Sequence, residues 1–416
     1  MDAYIARQPI MSEDGKVVAY EVLYHQDSST LYNQRDFKVA NAIARFFSEI
    51  DTPSFLEGKD AFLTFTPNLL MQNIPRIFVE DKLVIQIEDN VLVHPVALTI
   101  IQRYRNQGYR LALSDFEFNN RYFGILNSVS ILKIDFSDPD SDTINNRVSI
   151  AKRFKKTVVA YNINSPRAWE KALELGCDYF QGASVADMIS GRFAREQALD
   201  SDFFNLMIRA LKEEPEITEV AAIIERDMSL SFSLLKMVNS SYFAPAEQVC
   251  DIRQALAIVG FDQLKRWIYL LDFMAEDGCV SEELIRISLQ RAYFCQELSA
   301  LIKDFPLDRA ESYLLGMFST LGTLLNVGTD KALERLPVSQ TLKDGINGEE
   351  GPARDLYRFV QYYERGEWNR MIRVAERLEI PVSMIAQKYF DVIQYVNEMY
   401  GELIRPYTGD SEASAG

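Results

Sequence analysis

The chain has 416 residues, too many for one ordinary hydrophobic core, so two domains of about 200 residues each are expected. Its 44 lysines and arginines against 60 aspartates and glutamates give a formal net charge of −16, which opposes binding to nucleic acid or an anionic membrane. The apolar runs are short and the four cysteines are widely spaced, so we expect a cytoplasmic protein without membrane insertion, a zinc site or a redox pair.

The first half of the chain alternates strand-like runs with amphipathic helical patterns. The strand candidates are Val17–Tyr24, Ala61–Thr66, Leu83–Ile87, Arg110–Ser114, Ser130–Asp135, Thr157–Tyr161 and Asp178–Gln181. The helical patterns between them are Phe37–Ile50, Val96–Asn106, Arg147–Phe154 and Pro166–Leu175. Glu13-Asp14-Gly15 has turn chemistry and predicts an opening hairpin. Repeated strand-then-helix units in one domain predict a TIM-like (β/α) barrel over residues 1–198.

The second half has the period of helices. Apolar residues recur at spacings of three and four, as in Val220, Ile223 and Ile224, with almost no alternating runs. This pattern predicts an all-helical domain over residues 199–402. Residues 403–416 are polar and small, so they are expected to form a disordered tail. The fold class is therefore an α/β barrel followed by an all-α domain.

Four polar motifs lie at the predicted strands of the first half: Tyr20-Glu21-Val22-Leu23, Leu113-Ser114-Asp115-Phe116, Ile131-Leu132-Lys133-Ile134-Asp135 and Asp178-Tyr179-Phe180-Gln181-Gly182. In this order and approximate spacing they resemble the motifs of the EAL family of phosphodiesterase barrels. The resemblance implies enzymes that cleave cyclic di-GMP with two divalent metals. It also implies that the site lies at the carboxyl ends of the barrel strands.

Carried over position by position, the resemblance implies both retained and replaced site residues. The retained residues are Glu21, Asp115, Lys133 and Gln181. Where the family has carboxylate or asparagine ligands and site glutamates, this chain has Thr64, Gln86, Ser114, Tyr161 and Asn164. His25 stands where an arginine would grip the nucleotide.

These replacements remove negative charge and hard ligands from a site that must hold two dications. We therefore expect no hydrolysis: the chain is predicted to be no enzyme, with no metal and no cofactor, and its retained residues to form a polar network in the barrel mouth. Two alternatives remain open. One is a cyclic di-GMP receptor without turnover that uses Glu21, His25, Asp115 and Gln181. The other is a weakly active cyclic di-GMP phosphodiesterase with an altered metal site.

In the second half, Val220–Tyr242 and Asp251–Leu264 resemble the HDOD domain. That family is related to metal phosphohydrolases but lacks their histidine–aspartate dyad, and Ser319 and Thr320 fall at the positions of the dyad. Both histidines of the chain lie in its first quarter, which excludes histidine-based catalysis in this domain. The resemblance implies a regulatory protein that acts through protein partners in cyclic di-GMP control of motility or biofilm formation, with dimerisation through the barrel.

Overall fold

The structure is a computed structural model. It describes residues 4–24, 55–88, 91, 96–116, 123–191, 206, 209, 216–226, 228–239, 243, 245, 249–271, 282–320 and 329–400. His25, His94, the helix predicted at Phe37–Ile50 and the predicted tail all lie outside these residues. The chain divides into two compact units.

Eight strands form a closed barrel in sequence order. They are β1 (Ile5–Met11), β2 (Val17–Tyr24), β3 (Asp60–Thr64), β4 (Leu83–Ile87), β5 (Arg110–Leu113), β6 (Ile131–Asp135), β7 (Thr157–Tyr161) and β8 (Tyr179–Phe180). The seven strand candidates correspond to β2 through β8, and the opening hairpin pairs β1 with β2. The predicted barrel is therefore confirmed. Strand β1 runs antiparallel to both β2 and β8, while the remaining neighbours are parallel.

Helices follow most strands of the barrel. They are α1 (Pro67–Met71), a 3-10 turn (Ile74–Ile77), α2 (Ala97–Asn106), α3 (Phe123–Leu126), α4 (Asp142–Arg153), α5 (Pro166–Glu174) and α6 (Val185–Gly191). Proline at the first position and a serine cap start α5, because Ser165 Oγ accepts a hydrogen bond from the amide of Ala168. Helix α4 begins one turn earlier than its apolar pattern predicts, since that first turn is largely polar.

The barrel interior contains one apolar layer. It consists of one buried residue from each of the first seven strands, namely Ile10, Ala19, Phe62, Val84, Ala112, Ile131 and Val159, with Tyr179 of β8 packed against them. Successive side chains of a strand point to opposite faces, so the residues two positions along each strand also face the interior. This layer therefore fixes which side chains reach the carboxyl ends of the strands.

The compact unit that contains the barrel also includes residues 361–372 and 382–386. The hydroxyl of Tyr363 donates to the carbonyl oxygen of Ile5 at 2.9 Å. The ring of Trp368 stacks on Tyr4, with 5.7 Å between centroids. Residues far along the chain thus complete the packing around the start of β1.

The second unit is built from helices, as predicted. The helices of the described residues from 216 onward are α7 (Ile217–Ile224), α8 (Met228–Val238), α9 (Ile252–Leu271), α10 (Glu282–Ser299), α11 (Arg309–Met317), α12 (Thr329–Arg335), α13 (Gln340–Asn347), α14 (Pro352–Glu364), α15 (Trp368–Arg377) and α16 (Val382–Met399). Helix α9 is kinked at Gly260, whose φ is +71°. Within the described part of the chain, every helix is too short or too polar to cross a membrane.

Gly182 lies two residues after the end of β8 and allows two backbone segments to approach closely. A Cβ atom at this position would lie 2.2 Å from the carbonyl oxygen of Ile163. The same two segments are joined by a hydrogen bond of 3.1 Å from the Ile163 amide to the Gln181 carbonyl. Only glycine permits this approach without displacing backbone.

We therefore expect Gly182→Ala to lower the free energy of unfolding by about 1–3 kcal/mol, because overpacking against backbone cannot relax cheaply. Gly124→Ala is the matched control, since its added Cβ would meet the two methyl groups of Leu98 at ordinary distances of 3.4 and 3.5 Å. The control should change stability by less than about 1 kcal/mol. Chemical denaturation measures the free energy of unfolding of both variants. Equal values would show that the close backbone approach at Gly182 does not require glycine.

Candidate functional site

A ring of polar side chains lies directly above the apolar layer. Each member lies two residues from the apolar-layer residue of its own strand. The shift is toward the carboxyl end on β2 to β8 and toward the amino end on the antiparallel β1. Its members are Gln8, Glu21, Thr64, Gln86, Ser114, Lys133, Tyr161 and Gln181, and we call them the strand-end ring. Seven of these eight residues were predicted to belong to the site from the sequence.

Glu21 lies at the centre of the hydrogen bonds in this ring. Lys133 Nζ donates to Glu21 Oε2 at 2.8 Å, and Gln86 Nε2 donates to Glu21 Oε1 at 2.7 Å. Gln181 Nε2 donates to Oε2 as well. Glu21 is 7% exposed and Lys133 is 2% exposed, so this is a buried ion pair with further hydrogen bonds on the carboxylate.

Opposing effects set the charge state of Glu21. Burial alone raises the pKa of its carboxyl group. The charge of Lys133, together with hydrogen bonds from Lys133, Gln181 and Gln86, outweighs burial and holds the pKa of Glu21 below its usual range. Glu21 is therefore a carboxylate at neutral pH.

The carboxylate also orients the two neighbouring amides. Gln86 Nε2 donates to Thr64 Oγ1 at 2.8 Å as well as to Glu21, and Gln181 Nε2 donates to Gln8 Oε1 at 2.7 Å as well as to Glu21. Reversing either amide would place its oxygen against the carboxylate, so these orientations are fixed. In the ring, three buried oxygen atoms have no hydrogen-bond partner among the described residues: Gln86 Oε1, Gln181 Oε1 and Ser114 Oγ.

The rim above the ring carries two hydrogen-bonded polar pairs. Tyr161 of the ring donates its hydroxyl proton to Asp115 Oδ1, and Asn162 Nδ2 donates to Asp135 Oδ1 at 3.0 Å. Asp115 and Asn162 both have positive φ angles, 52° and 59°, which are uncommon for residues other than glycine. Lys133 Nζ lies 5.2 Å from the centroid of the aromatic side chain of Tyr161. This contact joins the buried ion pair of the strand-end ring to the rim.

One residue that was predicted at the site, Asn164, is not part of the strand-end ring. Its Oδ1 accepts a hydrogen bond of 3.2 Å from the amide of Ala183. The sequence interpretation did not assign Gln8, Asp135 or Asn162 to the site. Gln8 was predictable, because the hairpin register pairs it with Glu21. Asp135 was predictable as well, since it stands two residues beyond Lys133 on the same strand.

The family resemblance implies two divalent metals, and the donor atoms of the described ring do not fit such a pair. Its single carboxylate, Glu21, is already matched by the charge of Lys133. Among the described residues, no group of three or more histidine, cysteine, aspartate or glutamate side chains could hold a metal. The unpartnered oxygens of Gln86, Gln181 and Ser114 are hard ligands but carry no charge to offset two dications.

In the helical unit, Ser319 and Thr320 lie on a 3-10 turn, Phe318–Thr320, that follows α11. The hydroxyl of Thr320 hydrogen-bonds to Ser288 Oγ of α10 at 2.6 Å. Arg291, one turn further along α10, donates to Ser319 Oγ at 3.1 Å. Hydroxyl groups and a guanidinium thus surround the two positions at which the sequence interpretation places the lost dyad.

Comparison with known proteins identifies both domains. The model of the EAL domain matches residues 33–187, and the model of the HDOD domain matches residues 201–339. The chain is therefore a two-domain protein in which an EAL domain is followed by an HDOD domain, as predicted. Strands β1 and β2, with Glu21, precede the matched part of the barrel.

Two relatives extend over nearly the whole chain. YuxH of Bacillus subtilis (strain 168), which is described as uncharacterized, is 29% identical over 394 residues, covering 91% of this chain and 95% of YuxH. The cyclic di-GMP phosphodiesterase CdgJ of Vibrio cholerae is 26% identical over 374 residues, covering 88% of this chain and 85% of CdgJ. Among solved structures, the FimX EAL domain from Pseudomonas aeruginosa bound to c-di-GMP is 17% identical and covers 44% of this chain and 88% of that chain, with a TM-score of 0.36.

The comparison with CdgJ contradicts the prediction that this chain is no enzyme, because a relative that spans both domains is named as a phosphodiesterase. The prediction was wrong because it took the replaced ligand positions as sufficient to exclude hydrolysis, although a changed ligand set alters metal binding without by itself showing that turnover is lost.

We expect the ion pair of the ring to show strong energetic coupling. Glu21→Gln or Lys133→Met alone should destabilise the protein by about 3–5 kcal/mol, because each leaves one buried charge unpaired. The double variant should lose much less than the sum of the two. Thermal unfolding of the four proteins measures the coupling. The pair of Lys171 and the exposed Glu174, 3.2 Å apart on α5, is the control and should couple by less than about 1 kcal/mol, because Glu174 stays hydrated. Equal coupling in both pairs would contradict a buried, ionised Glu21.

Proposed function

We propose that this chain is a cyclic di-GMP signalling protein whose barrel binds the nucleotide at the strand-end ring and hydrolyses it slowly, with a metal shell altered from that of the EAL family. The observation that carries the proposal is the buried ion pair of Glu21 and Lys133, held at the carboxyl end of the barrel by both neighbouring glutamines. Catalytic groups of barrel enzymes lie at this end. The similarity to CdgJ over both domains supports the same function.

Lys133 supplies the positive charge that a phosphodiester requires. Its ammonium group is fixed by Glu21 at 2.8 Å and lies 5.2 Å from the centroid of the Tyr161 ring, next to the exposed rim. A cation held in place by its surroundings stabilises the charge that develops on phosphoryl oxygens without having to reorganise during the reaction. Lys133 is thus the residue of the ring suited to a bound phosphate.

The charge balance of the ring explains why hydrolysis should be slow. Glu21 and Lys133 cancel, and the other six members of the ring are neutral side chains. A neutral ring gives little attraction for a pair of dications, so the reaction has less metal assistance than an acidic site would give. We therefore expect Mg²⁺ or Mn²⁺ to raise the rate of hydrolysis only slightly.

The HDOD domain is part of the same proposal. Its resemblance to regulatory domains supports a role in passing the nucleotide state of the barrel to protein partners, in control of motility or biofilm formation. Dimerisation through the barrel belongs to this proposal as well. Pull-down with and without cyclic di-GMP, from cells that express the full chain, would identify such partners.

The direct test is formation of the linear dinucleotide from cyclic di-GMP, followed by chromatography in Mg²⁺, in Mn²⁺ and in chelator. The wild-type protein should form product. The double variant Glu21→Gln/Lys133→Met keeps the ring neutral, so it should remain folded while its rate falls by about 100-fold. The control variant Lys171→Met/Glu174→Gln removes an ion pair on the outer face of α5 and should retain the wild-type rate.

Calorimetric titration with cyclic di-GMP separates the alternatives. Saturable binding without product would make the barrel a receptor and contradict the proposed hydrolysis. Absence of both binding and product would contradict the assignment of cyclic di-GMP to this site.

A further inference from the structure

A cluster of cations lies at the amino ends of the barrel strands, on the side away from the strand-end ring. Between Asp142 and Glu170 the chain has no acidic residue and six lysines or arginines, although its net charge is −16. Five cations and one exposed aromatic ring come from the ends of α2 and α4, and we call this set the amino-end patch. Its members are Arg105, Lys152, Arg153, Phe154, Lys155 and Lys156.

The cations of the patch contact neutral groups only. Lys156 Nζ donates to the carbonyl oxygen of Val129 at 2.7 Å, and Lys152 Nζ donates to the carbonyl oxygen of Leu175. Burial and the nearby charge of Arg105 lower the pKa of Lys156, so the last turn of α2 lies near the end of α4. Within the described part of the chain, none of the five cations forms an ion pair. Their positive charge is therefore not neutralised by those residues.

Lys155 occupies a backbone position that suits glycine. The amide of Lys156 donates to the carbonyl oxygen of Ala151 at 3.0 Å, and Lys155 just before it has a left-handed φ of 53°. Helices α2 and α5 end with the equivalent hydrogen bond but have Gly108 and Gly176 at the left-handed position. The helix dipole accounts for cations in a last helical turn. It does not account for a lysine where glycine would be less strained.

Phe154 adds an apolar surface to this charge. The residue is 43% exposed and lies between Arg153 and Lys155, which are both exposed. Such a surface fits a partner that brings negative charge and an apolar side chain together. Nucleic acid or an anionic membrane would extend beyond the patch and meet the field of a chain with a net charge of −16. A short acidic segment meets only the patch, because charges are screened over about 8 Å at physiological salt.

We propose that the amino-end patch binds a short acidic segment of a partner protein, with an apolar side chain of that segment packed against Phe154. Carboxylates of the segment pair with the exposed cations Arg105, Arg153 and Lys155. The inference goes beyond the proposed function, because the patch and the strand-end ring lie at opposite ends of the barrel and binding at one end does not require hydrolysis at the other.

Fluorescence anisotropy of the full chain with a labelled peptide of glutamates and central leucines is the direct test. The wild-type protein should bind this peptide, with an affinity that falls as salt rises, and should not bind a matched peptide with glutamine in place of glutamate. Arg153→Glu/Lys155→Glu should weaken binding by at least about tenfold. The control Lys303→Glu/Lys331→Glu makes the same change in net charge at exposed lysines of the helical unit and should weaken it by less than about twofold.

Two single variants separate binding from folding. Lys155→Gly removes a charge and the left-handed strain together, so it should weaken binding by about threefold without lowering the midpoint of thermal unfolding. Phe154→Ser should weaken binding by about fivefold, because the apolar contact is lost while all five cations remain.

Several results would overturn the inference. One is a wild-type protein that does not bind the acidic peptide, and another is equal weakening in the two double variants, because net charge alone would then explain binding. Unchanged binding in both single variants would also contradict it. Tighter binding to phosphatidylglycerol vesicles or to single-stranded DNA, lost in Arg153→Glu/Lys155→Glu, would assign the patch to another polyanion. Each result leaves the test of cyclic di-GMP hydrolysis unaffected, so the two proposals fail separately.

Discussion

The buried ion pair between Lys133 and Glu21 is the interaction on which the rest of the site depends. A buried ammonium group is tolerated only when a carboxylate and further hydrogen bonds compensate its lost hydration. Glu21 supplies the charge, and Gln86 and Gln181 supply donors to its two oxygens. Because both amides must turn their nitrogen atoms toward Glu21, their oxygens point elsewhere and have no hydrogen-bond partner in the part of the chain that the structure describes. One electrostatic requirement therefore fixes the polarity of much of the ring.

The strand-end ring and the rim above it differ in how far they are exposed to solvent. Five of the eight members of the ring are buried, among them both charged residues, so the ring provides a fixed charge arrangement. The rim is more exposed, and its pairs of Tyr161 with Asp115 and Asn162 with Asp135 stand on strand ends with unusual backbone angles. Buried groups below and accessible groups above are consistent with the nucleotide binding proposed for this barrel.

Much of the barrel could be predicted from the sequence, because strand alternation and strand-then-helix order are local signals. The seven strand candidates and most of the ring follow from this pattern and from the motifs. The hydrogen bond between Tyr161 and Asp115 could not be predicted, since it joins strand ends that are 46 residues apart through side-chain orientation. The grouping of residues 361–372 with the barrel was also hidden, because an apolar helical pattern does not reveal its packing partner. The prediction of no enzyme activity failed because replaced motif positions do not by themselves exclude turnover, and a relative that extends over both domains is named as a phosphodiesterase.

The central claim is that Glu21 is an ionised, buried carboxylate held by Lys133. Carbon-13 NMR of protein labelled at the glutamate carboxyl groups measures this directly, with Glu21→Gln to assign the resonance. We predict a pKa for Glu21 below the ordinary value of 4.5, because the lysine and the two amides outweigh burial. A pKa at or above that value would show that burial dominates, and the charge arrangement of the ring would have to be abandoned.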